Sequence, residues 1–386
     1  MPKIIELDAY VVSVPAEGNA FGERAEETLL VKVTDEDGLV GIGECVAAPA
    51  VTKAMVDMPT LNGWSQGIKN IVLGAEPLDR LMLYDQVYHN SFLHGRRGIL
   101  IHALSAVDIA IHDLAAKQIG KPVYSLLGGA RTQRLRPYAT LYPGDIYGNG
   151  VDGVISEIGR QTKIAIEQGL RAVKVPVLFY EHLPDRDLPA FVRDCREMIG
   201  SGIEIGLDFG YRWIDWQDAA WVLKRVEAYD ILFAEAPLRH DNLLGHARLT
   251  DASPIRVGGG EFATGRWEIR EWLETAKVSL VQPGISRAGG FVELMRIAEM
   301  CELYGAILVP HSYATGITDT CNLHLQAANL TIPMFEFRSP RLGPSRLRSE
   351  LVDPAEPEIR DGYIALPQKA GLGIQLNEEL VQNHAL

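Results

Sequence analysis

Three acids fall at nearly equal intervals in the second half of the chain: Asp208 in "IEIGLDF", Glu235 in "ILFAEAPL" and Glu261 in "IRVGGGEF". Each closes a short apolar run, and each interval is close to one strand-plus-helix unit. If successive strands lie side by side, the three carboxylates share one mouth. Carboxylates held together repel unless they are protonated or share a cation, and hard oxygen donors with room for water and substrate suit Mg²⁺. Acids that only cap the positive N-termini of following helices would not need this spacing. A lysine belongs with them. "RAVKVPV", Arg171 to Val177, reads as a buried strand, yet alternation puts Lys174 and Pro176 on one face and Val173, Val175 and Val177 on the other. A lysine in such a strand needs acids to face.

The elements that must position these groups follow from patterning. In residues 1–130, "IIELDAYVVSV" and "TLLVKVTDEDGLVGIGECV" alternate as a three-stranded meander with a turn at Asp37-Gly38. Helical spacing follows, clearest in "GILIHALSAVDIAIHDLAAKQIG". Residues 131–345 carry eight short apolar runs: "RPYATL", "RAVKVPV", "IEIGLDF", "ILFAEAPL", "IRVGGGEF", "VSLVQPGI", "AILVPHS" and "MFEFRS". Amphipathic segments such as "LPAFVRDCREMIG" and "WQDAAWVLKRVEAY" separate them. That alternation predicts an α/β fold built on a (β/α)₈ barrel. Residues 346–386 are strand-like again in "DGYIALPQKAGLGIQL" and are expected to return to the N-terminal unit.

Composition narrows the class. The 386 residues carry a formal net charge of −13 with no basic block, which argues against nucleic acid or an anionic membrane as partner. The opening "MPKIIELDAY" lacks the pattern of a signal peptide, and no long uncharged apolar run suggests a membrane span, so a cytoplasmic location is expected. Cys45, Cys195, Cys301 and Cys321 are scattered without metal-type spacing and read as reduced, buried thiols. Neither "GLVGIG" nor "RVGGGE" completes a phosphate-binding loop.

In a (β/α)₈ barrel the active-site groups stand at the C-terminal ends of strands. Those ends supply Lys174, Asp208, Glu235, Glu261, Gln282, His311 and Glu336. The motifs "KVP", "DFGYRW", "EAP", "GGE", "VQPGISRAGG", "VPHS" and "FEF" on successive strands resemble the mandelate racemase subgroup of the enolase superfamily. "ALSAVDIAIHDLAAKQIGKPVYSLLGG" and "GYIALPQKAGLGIQL" are similar to that family's α+β capping domain, so the resemblance covers nearly the whole chain. It implies a modified barrel whose N-terminal capping domain is completed by the C-terminal tail. It also implies Mg²⁺-assisted abstraction of the proton α to a small-molecule carboxylate, giving an enediolate, and a homo-oligomer between dimer and octamer. By the same resemblance Asp208, Glu235 and Glu261 are metal ligands, Lys174 sits beside the substrate carboxylate, and Glu336 offers it a hydrogen bond.

The departures from the family pattern sharpen the expectation. Racemases of the family carry Lys-x-Lys on the second strand and a His–Asp dyad from the seventh and sixth. Here the second lysine position is Pro176, the aspartate position is Gly284, and a frequent asparagine position is Gly210. Proline takes no proton, so one-base chemistry fits better than racemisation: dehydration of a sugar acid, an aldonate or aldarate, to a 2-keto-3-deoxy acid. His311 is the expected base, because histidine ionises near pH 6.5 whereas lysine, near 10.4, stays cationic beside acids. A racemase, epimerase or cycloisomerase using a group such as Tyr142 stays open, as does a non-catalytic Mg²⁺-dependent binder of an acid metabolite. Loop residues Arg24 and Lys53 are candidate substrate contacts, and Tyr142, Tyr211, Arg212 and His240 are placed to line the mouth.

Overall fold

The computed structural model describes residues 1–16, 25–142, 144, 146–343 and 345–386. The N-terminal meander forms as its alternation predicts. Strands Ile4–Pro15, Ala25–Asp35 and Val40–Cys45 make an antiparallel sheet in sequence order. The helix Ile99–Gln118 lies across it. Its length and apolarity match a membrane span, but 89% of its 18-residue apolar window is buried inside the fold. Glycine accounts for the close approach: a Cβ on Gly41 would fall 2.1 Å from the Ala110 carbonyl oxygen, and one on Gly43 would fall 2.0 Å from that of Ala106. Gly41 and Gly43 of "GLVGIG" therefore serve helix-on-sheet packing, while Gly38 sits in the turn at positive φ.

Eight parallel strands follow in chain order: Pro137–Thr140, Ala172–Pro176, Glu204–Asp208, Ile231–Glu235, Val257–Gly259, Leu280–Val281, Ile307–Leu308 and Phe335–Phe337. The first also pairs with the eighth, and the Glu336 N–H donates to the Pro310 carbonyl at 3.1 Å, so the seventh and eighth are bridged and the sheet curls into a barrel. These are the eight runs the sequence marks. Helices cover the outside through faces spaced for burial, such as Leu188, Phe191, Val192, Cys195 and Ile199, or Ala219, Val222, Leu223 and Val226. Tyr138, Ala172, Phe233, Leu280, Val309 and Met334 fill the inside below the mouth. Gly206 leaves the space that the Phe233 ring occupies.

Register brings the acids level. Pro176 pairs with Asp208 and Asp208 with Glu235 on adjacent strands, while Lys174 lies one pleat lower, opposite Gly206. The four cysteines are buried free thiols, and burial pushes Cys45 and Cys301 up to about 12.

The tail divides its contacts. Strands Ile359–Arg360 and Tyr363–Ala365 join Arg134–Leu135 at the start of the barrel, so this part packs on the barrel and not on the N-terminal unit. The later part reaches the meander, where Lys32 pairs with Glu378 at 2.8 Å and the Leu386 N–H donates to the Val11 carbonyl. The core formed by Val12, Leu30 and Ile42 is continuous with that of the barrel.

Candidate active site

Lys174 is 2% exposed and sits among three acids. Its Nζ lies 2.7 Å from Glu235 Oε1, 2.9 Å from Glu336 Oε1 and 3.8 Å from Asp208 Oδ2. Burial opposes the ammonium, but Glu235, Glu336 and Asp208 outweigh it and push Lys174 well above the ordinary lysine range. Burial likewise opposes charge on Glu336. There the Lys174 ammonium and His311, with the Thr140 hydroxyl, prevail and hold it at about 2. So Glu336 is an acceptor, and its other oxygen takes the Ser312 N–H at 2.8 Å. Donation to a substrate carboxylate, the role the resemblance implies, would require its protonated form.

Glu235 and Asp208 go the other way. Burial raises both; Lys174 opposes it, while Glu336 and Glu261 add repulsion. Four carboxylates thus face one ammonium, and the cluster lacks positive charge. The donor set fits a hard divalent cation. Its most compact group is Glu235, Glu261 and His311, whose ligand atoms lie within 4.8 Å of one another. Asp208 stands slightly aside, with Oδ1 accepting the Gly210 N–H at 2.9 Å. An oxygen-preferring ion would favour the Asp208 carboxylate over the His311 nitrogen.

Across the mouth, Glu261 accepts from Tyr211 Oη at 2.6 Å and lies 2.9 Å from His311 Nε2. His311 Nδ1 faces Arg287 Nη2 at 3.0 Å. A guanidinium has only donors, so Nδ1 must accept and Nε2 must carry the proton directed at Glu261. This is the partner that replaces the missing aspartate at Gly284.

Comparison with known proteins places the whole arrangement. Residues 7–128 match the mandelate racemase / muconate lactonizing enzyme N-terminal domain, and residues 157–380 match the enolase C-terminal domain-like family. The chain belongs to the enolase superfamily. Within it, arabinonate dehydratase of Saccharolobus solfataricus is 28% identical over 94% of this chain and 92% of its own. D-galactarolactone cycloisomerase of Agrobacterium fabrum is 29% identical over 93% and 91%. A crystal structure provisionally assigned as a racemase superposes with a TM-score of 0.92 at 35% identity, covering 99% and 98% of the two chains. The protein is accordingly an enzyme of the superfamily's mandelate racemase subgroup, on the modified barrel that the strand count predicts.

The remaining sequence-derived residues of this superfamily enzyme are less alike in placement. Arg24 lies outside the described residues. Lys53 pairs with Asp57 at 2.6 Å on its own cap helix, and Arg212 pairs with Asp185 at 2.7 Å. His240 packs against Tyr211, Phe262 and Trp272, and burial lowers its pKa. Tyr142 stands at the mouth, where its hydroxyl meets Arg338 and Arg348. Gln282 donates to Glu235, orienting that carboxylate. Arg287, Thr140, Arg338 and Arg348 are additions to the sequence-derived set. Alternation from Glu336 is the signal that could have found Arg338. A larger cavity, about 680 Å³, lies between the tail and the barrel and contains none of the strand-end acids.

Proposed function

We propose that the enzyme removes the proton α to the carboxylate of a sugar acid and expels the β-hydroxyl as water, leaving an enol that ketonises to a 2-keto-3-deoxy acid. The observation that carries this reading is a single constellation: Asp208, Glu235 and Glu336 around a buried, cationic Lys174, with Glu261 and His311 paired on the other side of the mouth. An α-proton next to a carboxylate is too weakly acidic for a base poised near neutrality unless the developing dianion is stabilised. Asp208, Glu235 and Glu261 would hold Mg²⁺, which supplies Lewis-acid stabilisation of that charge. Lys174 supplies a fixed ammonium to the same carboxylate. His311 would act as the base once Nε2 has given up its proton, then taking the one on the α-carbon and passing it to the departing hydroxyl. The named dehydratase among the relatives supports this class of reaction.

Titration of the metal-free protein with Mg²⁺ by calorimetry should show one site per chain, absent in Glu235→Ala and in Glu261→Ala. Undiminished binding in both variants would remove the metal assignment.

A second reading, cycloisomerisation of a sugar-acid lactone, shares the first proton transfer. The Nε2–H of His311, a proton donor as placed, and the A. fabrum relative favour it. Mass spectrometry of the product separates the two, since only dehydration loses water. Binding of sugar acids with no product and no α-proton exchange in D₂O would leave neither standing.

A further inference from the structure

We infer that Arg338, Arg348 and Tyr142 form a second anion subsite, which takes the distal carboxylate of a diacid sugar; this rests on the proton-abstraction reading above. The geometry repeats a contact one pleat higher. Where the first and eighth strands meet, Thr140 bonds to Glu336. Two residues farther along each strand, Arg338 Nε donates to Tyr142 Oη at 2.6 Å. Residues two apart share a face of a strand, so Arg338 stands above Glu336 on the mouth side, a rise of about 6.6 Å. Carbon–carbon bonds of ~1.5 Å let a chain of roughly five or six carbons span that rise.

The subsite has cations without a direct carboxylate partner, since Asp319 and Glu336 act on them only from beyond ion-pair distance. Arg348 Nη1 donates to the same Tyr142 hydroxyl at 2.9 Å, and the Arg338 guanidinium lies 3.7 Å over the Tyr313 ring. Both arginines are 7% exposed, and among the described residues neither has a carboxylate within 4.0 Å. A phenol oxygen satisfies donors without neutralising two buried charges. Because it already accepts twice, the Tyr142 O–H is left to point at a third partner. Both arginines line a cavity of about 260 Å³ with Tyr313, Thr315 and the cap residues Glu26 and Glu27. Those two acids accept from Ser345 and Ser13, respectively. An incoming carboxylate would meet two guanidiniums and a phenol, a donor set matched to it.

The test is calorimetric binding, with Mg²⁺ present, of aldarate and aldonate pairs that differ only at the distal carbon: galactarate and galactonate, glucarate and gluconate, mannarate and mannonate. In at least one pair the diacid should bind about tenfold tighter or more, the range of a charge-assisted hydrogen bond. That ratio should fall toward one in Arg348→Gln and fall part of the way in Arg338→Lys. Should Arg348→Gln not fold, the unmodified enzyme and Arg338→Lys still decide. A ratio near one in the unmodified enzyme, or an unmoved ratio in the folded variants, overturns the subsite. If α-proton exchange on monoacids persists in that case, the proton-abstraction reading survives alone; if no pair binds at all, both fall.

Discussion

Replacing Lys174 by methionine should slow exchange of the substrate α-proton in D₂O by about 10²–10³-fold, the usual consequence of deleting one preorganised electrostatic donor. The same variant should be unstable without metal. Lys174 is the cation against which Glu235, Glu336 and Asp208 are buried, and removing one partner of a buried ionic group costs about 3–5 kcal/mol. The pH dependence gives the sign. In the unmodified enzyme Glu336 titrates at about 2 in the folded state, below the ~4.3 of an unfolded glutamate. Its contribution is therefore present above pH 4.3 and lost as pH falls toward 2. Without the ammonium only His311 and Thr140 oppose burial, so the folded value rises toward the unfolded one and the variant gains less stability than the parent as pH climbs from 2 toward 4.3. Urea midpoints between pH 2 and pH 7, with and without Mg²⁺, read this directly. Equal midpoints for variant and parent at pH 7 in metal-free buffer would show that the lysine is not the counter-ion of the cluster.

His311→Asn should cost about 10²–10⁴ in the same exchange, the range for loss of a positioned acid/base group. A companion variant probes how the imidazole is set. Arg287 donates to Nδ1, which leaves Nε2 protonated and unable to accept. A Cβ on Gly284 would lie 3.8 Å from His311 Nδ1 and 3.8 Å from Arg287 Nε, with 3.3 Å to the His311 carbonyl oxygen. Gly284→Asp therefore puts a carboxylate between the two side chains with only slight adjustment. It would accept from Nδ1–H and from Arg287 at once, moving the proton off Nε2. Exchange is expected to rise about tenfold; an unchanged rate in Gly284→Asp, combined with full activity in His311→Asn, would take the proton transfer away from His311.

Much of the frame was legible because barrel strands are short apolar runs closed by functional residues, and the helices between them repeat at three and four. Asp208, Glu235 and Glu261 could be read from spacing alone, and Lys174 from its conflict with a buried strand. The partner of His311 could not. Arg287 lies in a loop after the sixth strand, and no periodicity tells a loop side chain which way to turn. The divided tail was hidden for a related reason: Tyr363–Ala365 pairs with Arg134–Leu135 across more than half the chain, and strand-like residues do not name their neighbours. "GLVGIG" shows the limit of motif reading, since Gly41 and Gly43 answer to the carbonyls of a helix far along the sequence.

Pro176 shares its rung with Asp208, in the place where related racemases keep a second base. The ring has no titratable atom, and Lys174, one pleat lower on the same face, is held as an ammonium, so neither can take a proton from that strand's side. With His311 as the proton-transfer group, an α-carbon seated between them yields its proton toward one side only. Under the proposed one-base reaction, the enzyme offered a mixture of two C2 epimers should consume one and leave the other untouched, so the proline would make the site one that sorts mirror-related centres.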